Sequence, residues 1–373
     1  MLDLQCGLSP TRCAASAPQP VSSSGLLVTD HTHEINWPKQ LPSDCLPSAL
    51  RQLRHPLCRG PAPPVLGSGV RLRGWRHTRK LGSAHADFTA CCAAADKPKG
   101  SFMHPITVRQ MKFDVPSADE FHPLCIAGSS VLSYSHLATG LYVTHLEPFF
   151  VKSLRRVMHQ IRDEALREDA DRFSRQEAQH YRRHMDFNKA VFAHGYPGLE
   201  QRVEVLMRDF EGFLAHRTDQ FRIGYIEGFE SYTTQFALRV LASGLYDHRH
   251  TTRAVGDLFK WHMLEEVEHR NVAFDVYEHL YGDYLYRARM CWVSQHHMFR
   301  FIADCEQLMS SADIARHGKR CRITTRQKVL VAMGRVGMRT RTMLPGYTPH
   351  DYAVPRTIAS LSAYFTQRAQ SIH

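Results

Sequence analysis

Residues 261–277, WHMLEEVEHRNVAFDVY, carry the strongest indication of structure and chemistry in the sequence. Glu266 and His269 are three residues apart, so on an α-helix both side chains lie on one face and can reach one metal ion. His262 stands four residues before Glu266 and extends the same stripe by one turn. Carboxylates among aromatic and aliphatic residues are costly to bury unless they are paired or bind a cation. The segment therefore predicts a helix that carries a metal site.

A second Glu-x-x-His motif lies in QEAQHYRRH, with Glu177 and His180. About one such motif is expected by chance in this composition, so either motif alone is compatible with a solvated helix face. However, each motif follows a segment with a glutamate in an apolar setting: Glu147 in HLEPFF and Glu230 in GFESYTT. The resulting order is Glu, Glu-x-x-His, Glu, Glu-x-x-His, with intervals of 30, 53 and 36 residues between the glutamates.

This order matches the ligand set of di-iron and di-manganese helical bundles, in which two helices give one Glu each and two give Glu-x-x-His. The shorter intervals suit antiparallel helix pairs, and the longest leaves room for the connection between pairs. The candidate metal ligands are Glu147, Glu177, His180, Glu230, His262, Glu266 and His269. Because carboxylates dominate, we expect two iron or two manganese ions; zinc, which prefers fewer ligands, fits less well.

Helical periodicity runs through most of the chain from about residue 128, which predicts an all-α fold. The expected core is a four-helix bundle with extra peripheral helices. Pro148 suggests that Glu147 lies at the start of a helix. The predicted helices are 129–142, 145–161, 164–193, 200–215, 218–244, 252–281, 285–308 and 325–341. One short alternating run, 106–115, is the only strand candidate.

Residues 1–102 differ in character from 103–373. They contain 11 of the 19 prolines and 6 of the 10 cysteines, without a sustained helical or strand period. We interpret them as a low-complexity, disordered extension, with Met103 as an alternative start, and residues 103–373 as the helical metal-binding domain. A basic arm that contacts phosphate or an acidic surface, and an organelle transit segment, are the other interpretations.

The composition restricts the classes of function. The chain has a net charge of +11, but residues 1–102 hold 12 basic and 6 acidic groups, so the body is only mildly basic and nucleic-acid binding is not expected. No apolar run is long enough to span a membrane, and no secretory signal is visible, so we expect a cytoplasmic protein with reduced cysteines. The apolar residues of segment 285–308 could cover the bundle or contact a membrane surface, so peripheral membrane contact is one alternative. A homodimer is another.

The motifs ITVRQMKFDVP, HLEPFFVKSLRRV, RQEAQHYRRHMDFN, WHMLEEVEHRNVAFDVY and PGYTPHDY resemble a bacterial family of predicted metal-dependent hydrolases. The resemblance runs from about 106 to 355 and implies a ferritin-like fold. The family usually has Gly-Glu where this chain has Leu146–Glu147. The ligand pattern, with a histidine four residues before the last Glu, is similar to that of di-iron arylamine N-oxygenases. This similarity implies oxygen activation on a small organic substrate, whereas the family description implies hydrolysis by metal-activated water.

Several charged and imidazole side chains lie beside the two Glu-x-x-His motifs. We expect His184 to contact a ligand or lie on the surface, and Asp275 to accept a hydrogen bond from an imidazole N–H. Glu265 and Glu268 are expected to face solvent or pair with Arg270. The alternatives to an enzyme are a metal-storage or metal-sensing bundle, and a basic interaction protein whose function lies in 1–102.

Overall fold

The computed structural model describes residues 106–117 and 119–371, and within these ranges the chain is all-α, without a β-strand. The helices are α1 Ser130–Val157, α2 Glu164–Ala193, α3 Leu199–His216, α4 Asp219–Ser243, α5 Arg253–Glu268, α6 Val272–Leu280, α7 Tyr284–His317, α8 Thr325–Thr342 and α9 Thr357–Gln370. The predicted all-α class is confirmed.

Side-chain caps explain where several helices begin. Asp163 accepts a hydrogen bond from a backbone N–H of the first turn of α2, and Thr218 and Asp283 do the same for α4 and α7. At α8, Thr324 and Gln327 form a reciprocal capping box. These contacts satisfy amide groups that a helix start leaves without partners.

The core is a bundle of four rods: α1, α2, α4 and the α5–α6 pair. α1 packs along α2, and α4 packs along α5 and α6. The two pairs meet through α1 with α4 and through α2 with α5 and α6. α3 and α7 cover α1, α8 lies on α4 and α7, and α9 lies on α5. The expected four-helix bundle with peripheral helices is therefore present.

Several predicted boundaries are wrong. The predicted helices 129–142 and 145–161 form one continuous helix, with Glu147 and Pro148 in its interior. Burial on several sides keeps α1 continuous through the proline, although proline removes one backbone hydrogen bond. The predicted helix 252–281 is instead divided at His269, where α5 ends. α7 runs nine residues beyond the predicted end, to His317.

Two terminal segments also differ from expectation. The strand candidate 106–115 has no regular secondary structure and pairs with no strand among the described residues. Its side chains pack on helices instead, as the contact between Phe113 and Trp261 shows, with ring centroids 5.4 Å apart. α9 had no counterpart in the sequence-based prediction. The predicted extension 1–102 lies outside the described residues, so the domain boundary remains a prediction.

No helix in the described part of the chain is both long enough and apolar enough to cross a bilayer.

Candidate metal centre

The structure brings all the predicted ligands together inside the bundle. The ligands form two groups. Within each group, one possible ligand atom from every side chain lies within 4.8 Å of those from the others, which is close enough to share an ion. The groups are Glu147, His180 and His262, and Glu177, Glu230, Glu266 and His269. Each of these residues is at most 2% exposed. They come from α1, α2, α4 and α5, and His269 follows α5 directly, at the point where the helix is interrupted.

Two glutamates connect the groups. Glu266 accepts from His262 Nε2 through Oε1 at 2.9 Å and lies 3.3 Å from His269 Nε2 through Oε2. Glu177 Oε1 lies 3.6 Å from both His180 Nδ1 and His269 Nε2. Both belong to the Glu-x-x-His motifs. Each carboxylate is therefore placed between two imidazoles, as a ligand shared by two ions would be.

Several buried oxygen atoms in the centre have no hydrogen-bond partner. Both carboxylate oxygens of Glu147 and of Glu230, together with Glu177 Oε1, are in this state. His180 Nδ1 is also without a hydrogen bond. Buried polar atoms without partners are costly, and a cation would satisfy all of these acceptors at once. The donor set, four carboxylates and three imidazoles, fits a metal cofactor.

Burial and neighbouring charges shift the pKa values of the carboxylates in opposite directions. Burial, followed by repulsion from Glu177, raises the pKa of Glu147 well above its usual range. Burial, followed by repulsion from Glu266, likewise raises the pKa of Glu230 well above its usual range. Burial also acts against ionisation of Glu266, but the hydrogen bonds from His262 and His269 outweigh it and hold its pKa well below normal. Ionisation is therefore favoured at Glu266 over Glu147 and Glu230.

The three histidines are held by contacts on their outward nitrogens. His180 Nε2 donates to Glu265 at 3.0 Å, and His269 Nδ1 donates to Gln176 Oε1 at 2.9 Å. His262 Nδ1 lies 2.7 Å from His184 Nε2, so His184 contacts a predicted ligand, as expected. The other nitrogen of each ring faces the carboxylates. Such partners fix the orientation of ligand imidazoles in metal sites.

Glu265 and Glu268 are buried, not solvent-exposed, and their partner is Arg109 rather than Arg270. Arg109 donates to Glu265 at 2.9 Å and to Glu268 at 2.7 Å. Arg270 donates instead to the backbone oxygen of Val267. The prediction was wrong because helical periodicity does not show that the irregular segment 106–115 covers this side of α5.

Arg109 is the functional candidate that sequence reasoning missed. It is 2% exposed, and the only signal was a basic residue inside the alternating run ITVRQMKF.

Asp275 was expected to accept from an imidazole, and it contacts His350 Nε2 at 2.8 Å. His350 is not one of the predicted ligands; it belongs to the PGYTPHDY segment.

A pocket of about 170 Å³ adjoins the centre, and His262 and Glu266 form part of its wall. The remaining wall is mostly aliphatic and aromatic and comes from α1, α4, α5, α7 and α8. Representative lining residues are Val143, Phe229, Phe236, Phe259, Met298 and Ile302. Concave, mainly apolar pockets with a few polar groups are typical of small-molecule sites.

Comparison with known proteins agrees with this geometry. A family model described as predicted metal-dependent hydrolase matches residues 107–353, a range that includes every candidate ligand and Arg109. No curated protein and no solved structure matches the chain significantly. The family description and the clustered side chains together support a metal cofactor. The chain belongs to the family of predicted metal-dependent hydrolases.

Proposed function

We propose that this protein is a di-metal carboxylate enzyme that activates dioxygen on a small, largely apolar organic substrate. The observation that carries the proposal is the placement of Glu177 and Glu266 between imidazoles of the two groups. Glu147 and Glu230 then serve as terminal ligands, and His180, His262 and His269 complete the set. Two iron or manganese ions held there would supply the activation of dioxygen or, alternatively, of water.

The protein's own groups hold the ligands and exclude solvent. Glu265, His184 and Gln176 each hold one imidazole by its outward nitrogen, so the inward nitrogens are oriented before metal binds. The candidate ligand side chains are themselves almost fully buried, so the centre is shielded from bulk water. Metal binding would displace protons from the histidines. Burial alone would lower the pKa of His180, but the neighbouring carboxylates of Glu177 and Glu265 raise it to about 9.

The pocket favours an apolar substrate over a phosphate ester. Among the described residues that line it, the only Lys or Arg is Arg335, which donates to Ser135 at 3.2 Å and lies 3.6 Å from Glu306. Sites for phosphate commonly add uncommitted Arg or Lys side chains to the charge of the metals, and the described lining of this pocket offers none. The apolar wall instead suits an aliphatic or aromatic molecule.

Metal content is the experiment that tests the proposal. Full-length protein purified without added metal should contain about two iron or manganese ions per chain. A Glu177→Ala/Glu266→Ala variant should lose them, whereas Glu227→Gln should retain them, because Glu227 is buried but bonds to Arg287 outside the centre. Substrate-dependent oxygen uptake would then be measured. A folded protein that binds no metal, even after reconstitution, would contradict the proposal.

Hydrolysis is the second candidate, favoured by the family description. It uses the same ligands, with water activated for attack on an ester or amide. Zinc at two ions per chain, together with esterase activity and no oxygen uptake, would favour it. A storage or sensing bundle would instead show reversible metal uptake without turnover, and it would leave the pocket without a role.

A further inference from the structure

The outward face of α8 is apolar and exposed. Four of its side chains are more than half exposed: Val329 at 51%, Leu330 at 58%, Met333 at 68% and Val336 at 61%. Their spacing places them on one side of the helix. The opposite side is buried at Met338 and Thr342. Scattered exposed apolar residues are ordinary, but a continuous stripe along one helix marks an interaction surface.

Positive charge accompanies this stripe along α8 and the segment before it. From residue 316 to 342 the chain has nine Lys or Arg and no Asp or Glu. Arg326, Lys328 and Arg341, which belong to α8 itself, are exposed. An apolar stripe flanked by cations is the pattern of helices that lie in the interface of an anionic bilayer.

The patch continues onto α7 through Trp292. Its side chain is 48% exposed, and the guanidinium of Arg339 lies 4.4 Å from its ring centroid. Tryptophan is the residue most suited to a boundary with one apolar and one aqueous side. Trp292 lies within 285–308, the segment for which the sequence left peripheral membrane contact open.

We propose that this face, Val329, Leu330, Met333, Val336 and Trp292 with the surrounding cations, binds the surface of an anionic membrane. The negative headgroups complement the cations, and the apolar stripe enters the acyl boundary. A second copy of the chain is disfavoured as the occupant, because two such faces would bring like charges together.

The position of α8 gives the surface a role in substrate access. The inner face of the same helix, through Val331, Gly334 and Met338, lines the pocket beside the candidate metal centre. Membrane binding would therefore place the pocket one helix away from the lipid, where apolar molecules concentrate. The role in substrate access rests on the proposed function, whereas binding to the membrane does not.

Co-sedimentation with vesicles tests the proposal. Full-length protein should pellet with vesicles that contain phosphatidylglycerol and stay in solution with pure phosphatidylcholine. Met333→Asp/Val336→Asp should weaken binding about tenfold or more, since it places charge in the apolar stripe. Arg326→Glu/Lys328→Glu should weaken binding at low salt, and its binding should fall less than that of the wild type as salt rises, because it retains less electrostatic attraction to screen. The matched control, Val205→Asp/Met207→Asp on α3, changes side chains that are each 40% exposed and should bind as wild type.

Three outcomes would overturn the proposal. The first is no binding to anionic vesicles. The second is binding that the α8 variants and the α3 control reduce equally, or not at all, which would assign any lipid contact to another part of the chain. The third is a wild-type dimer that Met333→Asp/Val336→Asp converts to a monomer, seen by light scattering, which would make the face a contact between copies. Metal content measured on the same variants keeps this result separate from the proposed function.

Discussion

Glu265 accepts a hydrogen bond from His180 Nε2 at 3.0 Å, and this contact determines which nitrogen of His180 faces the candidate metal centre. The remaining nitrogen, Nδ1, lies 3.6 Å from Glu177 Oε1. Glu265 is itself held by Arg109 at 2.9 Å and by the indole N–H of Trp261 at 2.7 Å. A residue next to the ligand stripe of α5 thus orients a ligand of α2.

We therefore expect Glu265→Gln to weaken metal binding by about 10- to 100-fold, because an amide holds the imidazole less firmly and faces Arg109 with its own N–H. Competition with a chelator would measure the affinity. Glu227→Gln is the control: Glu227 is also buried, but its partners are Ser231, Cys291 and Arg287. Equal affinity in the wild type and in Glu265→Gln would contradict the role of this contact.

The convergence of the seven candidate ligands followed from local rules. Each Glu-x-x-His motif uses helical spacing, and the intervals between glutamates indicated which helices pair. The continuity of α1 was not predictable in the same way. Pro148 is a helix breaker by local preference, and only packing around Glu147 and Phe149 retains the helix through it.

The contacts around the ligands were beyond a periodicity argument. Arg109 is 156 residues away from Glu265 in the chain, so their ion pair depends on tertiary packing. Helical spacing correctly placed Glu265 and Glu268 beside the ligand stripe, but it could not show what covers that side. The segment 106–115 does so without forming a strand.

Arg109 should be important for stability. Its ion pairs with Glu265 and Glu268 are buried, so removing the guanidinium leaves two buried carboxylates without the positive charge that compensates them. Arg109→Met is therefore expected to lower the free energy of unfolding by about 3–5 kcal/mol, measured by urea denaturation. Arg172→Met removes a solvent-exposed pair with Glu168 and should change it by less than about 1 kcal/mol. Similar losses in both variants would argue against the buried network.

Removal of metal should destabilise the protein. Buried carboxylates at Glu147 and Glu230 have no hydrogen-bond partners to compensate them. Return of iron or manganese to chelator-treated protein, at about 100 times its dissociation constant, should add about 3 kcal/mol of stability. Thermal unfolding with and without metal would measure this gain.

Glu147→Gln/Glu230→Gln is the informative comparison for metal removal. Neutral amides relieve the repulsion that the metal-free centre contains, so the metal-free variant should be at least as stable as the metal-free wild type. The variant should then gain little from added metal. An undiminished gain would show that these glutamates are not ligands.

His136 should make stability depend on pH. Burial lowers its pKa to about 4, against 6.5 for the unfolded chain. The unfolded state therefore binds more protons between these values, so stability that is present above pH 6.5 is lost as pH falls towards 4. Between pH 7 and 5 the expected loss from this group is about 2 kcal/mol.

Urea unfolding at pH 7 and pH 5 would test the role of His136. His136→Gln should remove this part of the pH dependence. Tyr246→Phe should keep it, since that change removes only the hydroxyl 3.2 Å from His136 Nε2. The assignment fails if His136→Gln loses as much stability on acidification as the wild type.

Gly228 should be required for close packing of α4 on α7. A Cβ atom at this position would lie 2.6 Å from Ser294 Oγ and 2.7 Å from the Cα of Cys291. Because backbone cannot move aside easily, Gly228→Ala should cost about 1–3 kcal/mol. It should also reduce metal content, since Glu230 follows two residues later on the same helix.

Gly212→Ala on α3 provides the matched control, because a Cβ there meets nothing within 4 Å. In a helix interior this change should stabilise the protein by about 0.5–1 kcal/mol and leave metal content unchanged. Urea unfolding and metal analysis of both variants would separate the effect of helix propensity from that of packing. If Gly228→Ala also stabilised the protein and kept its metal, close contact between α4 and α7 would not be what positions Glu230.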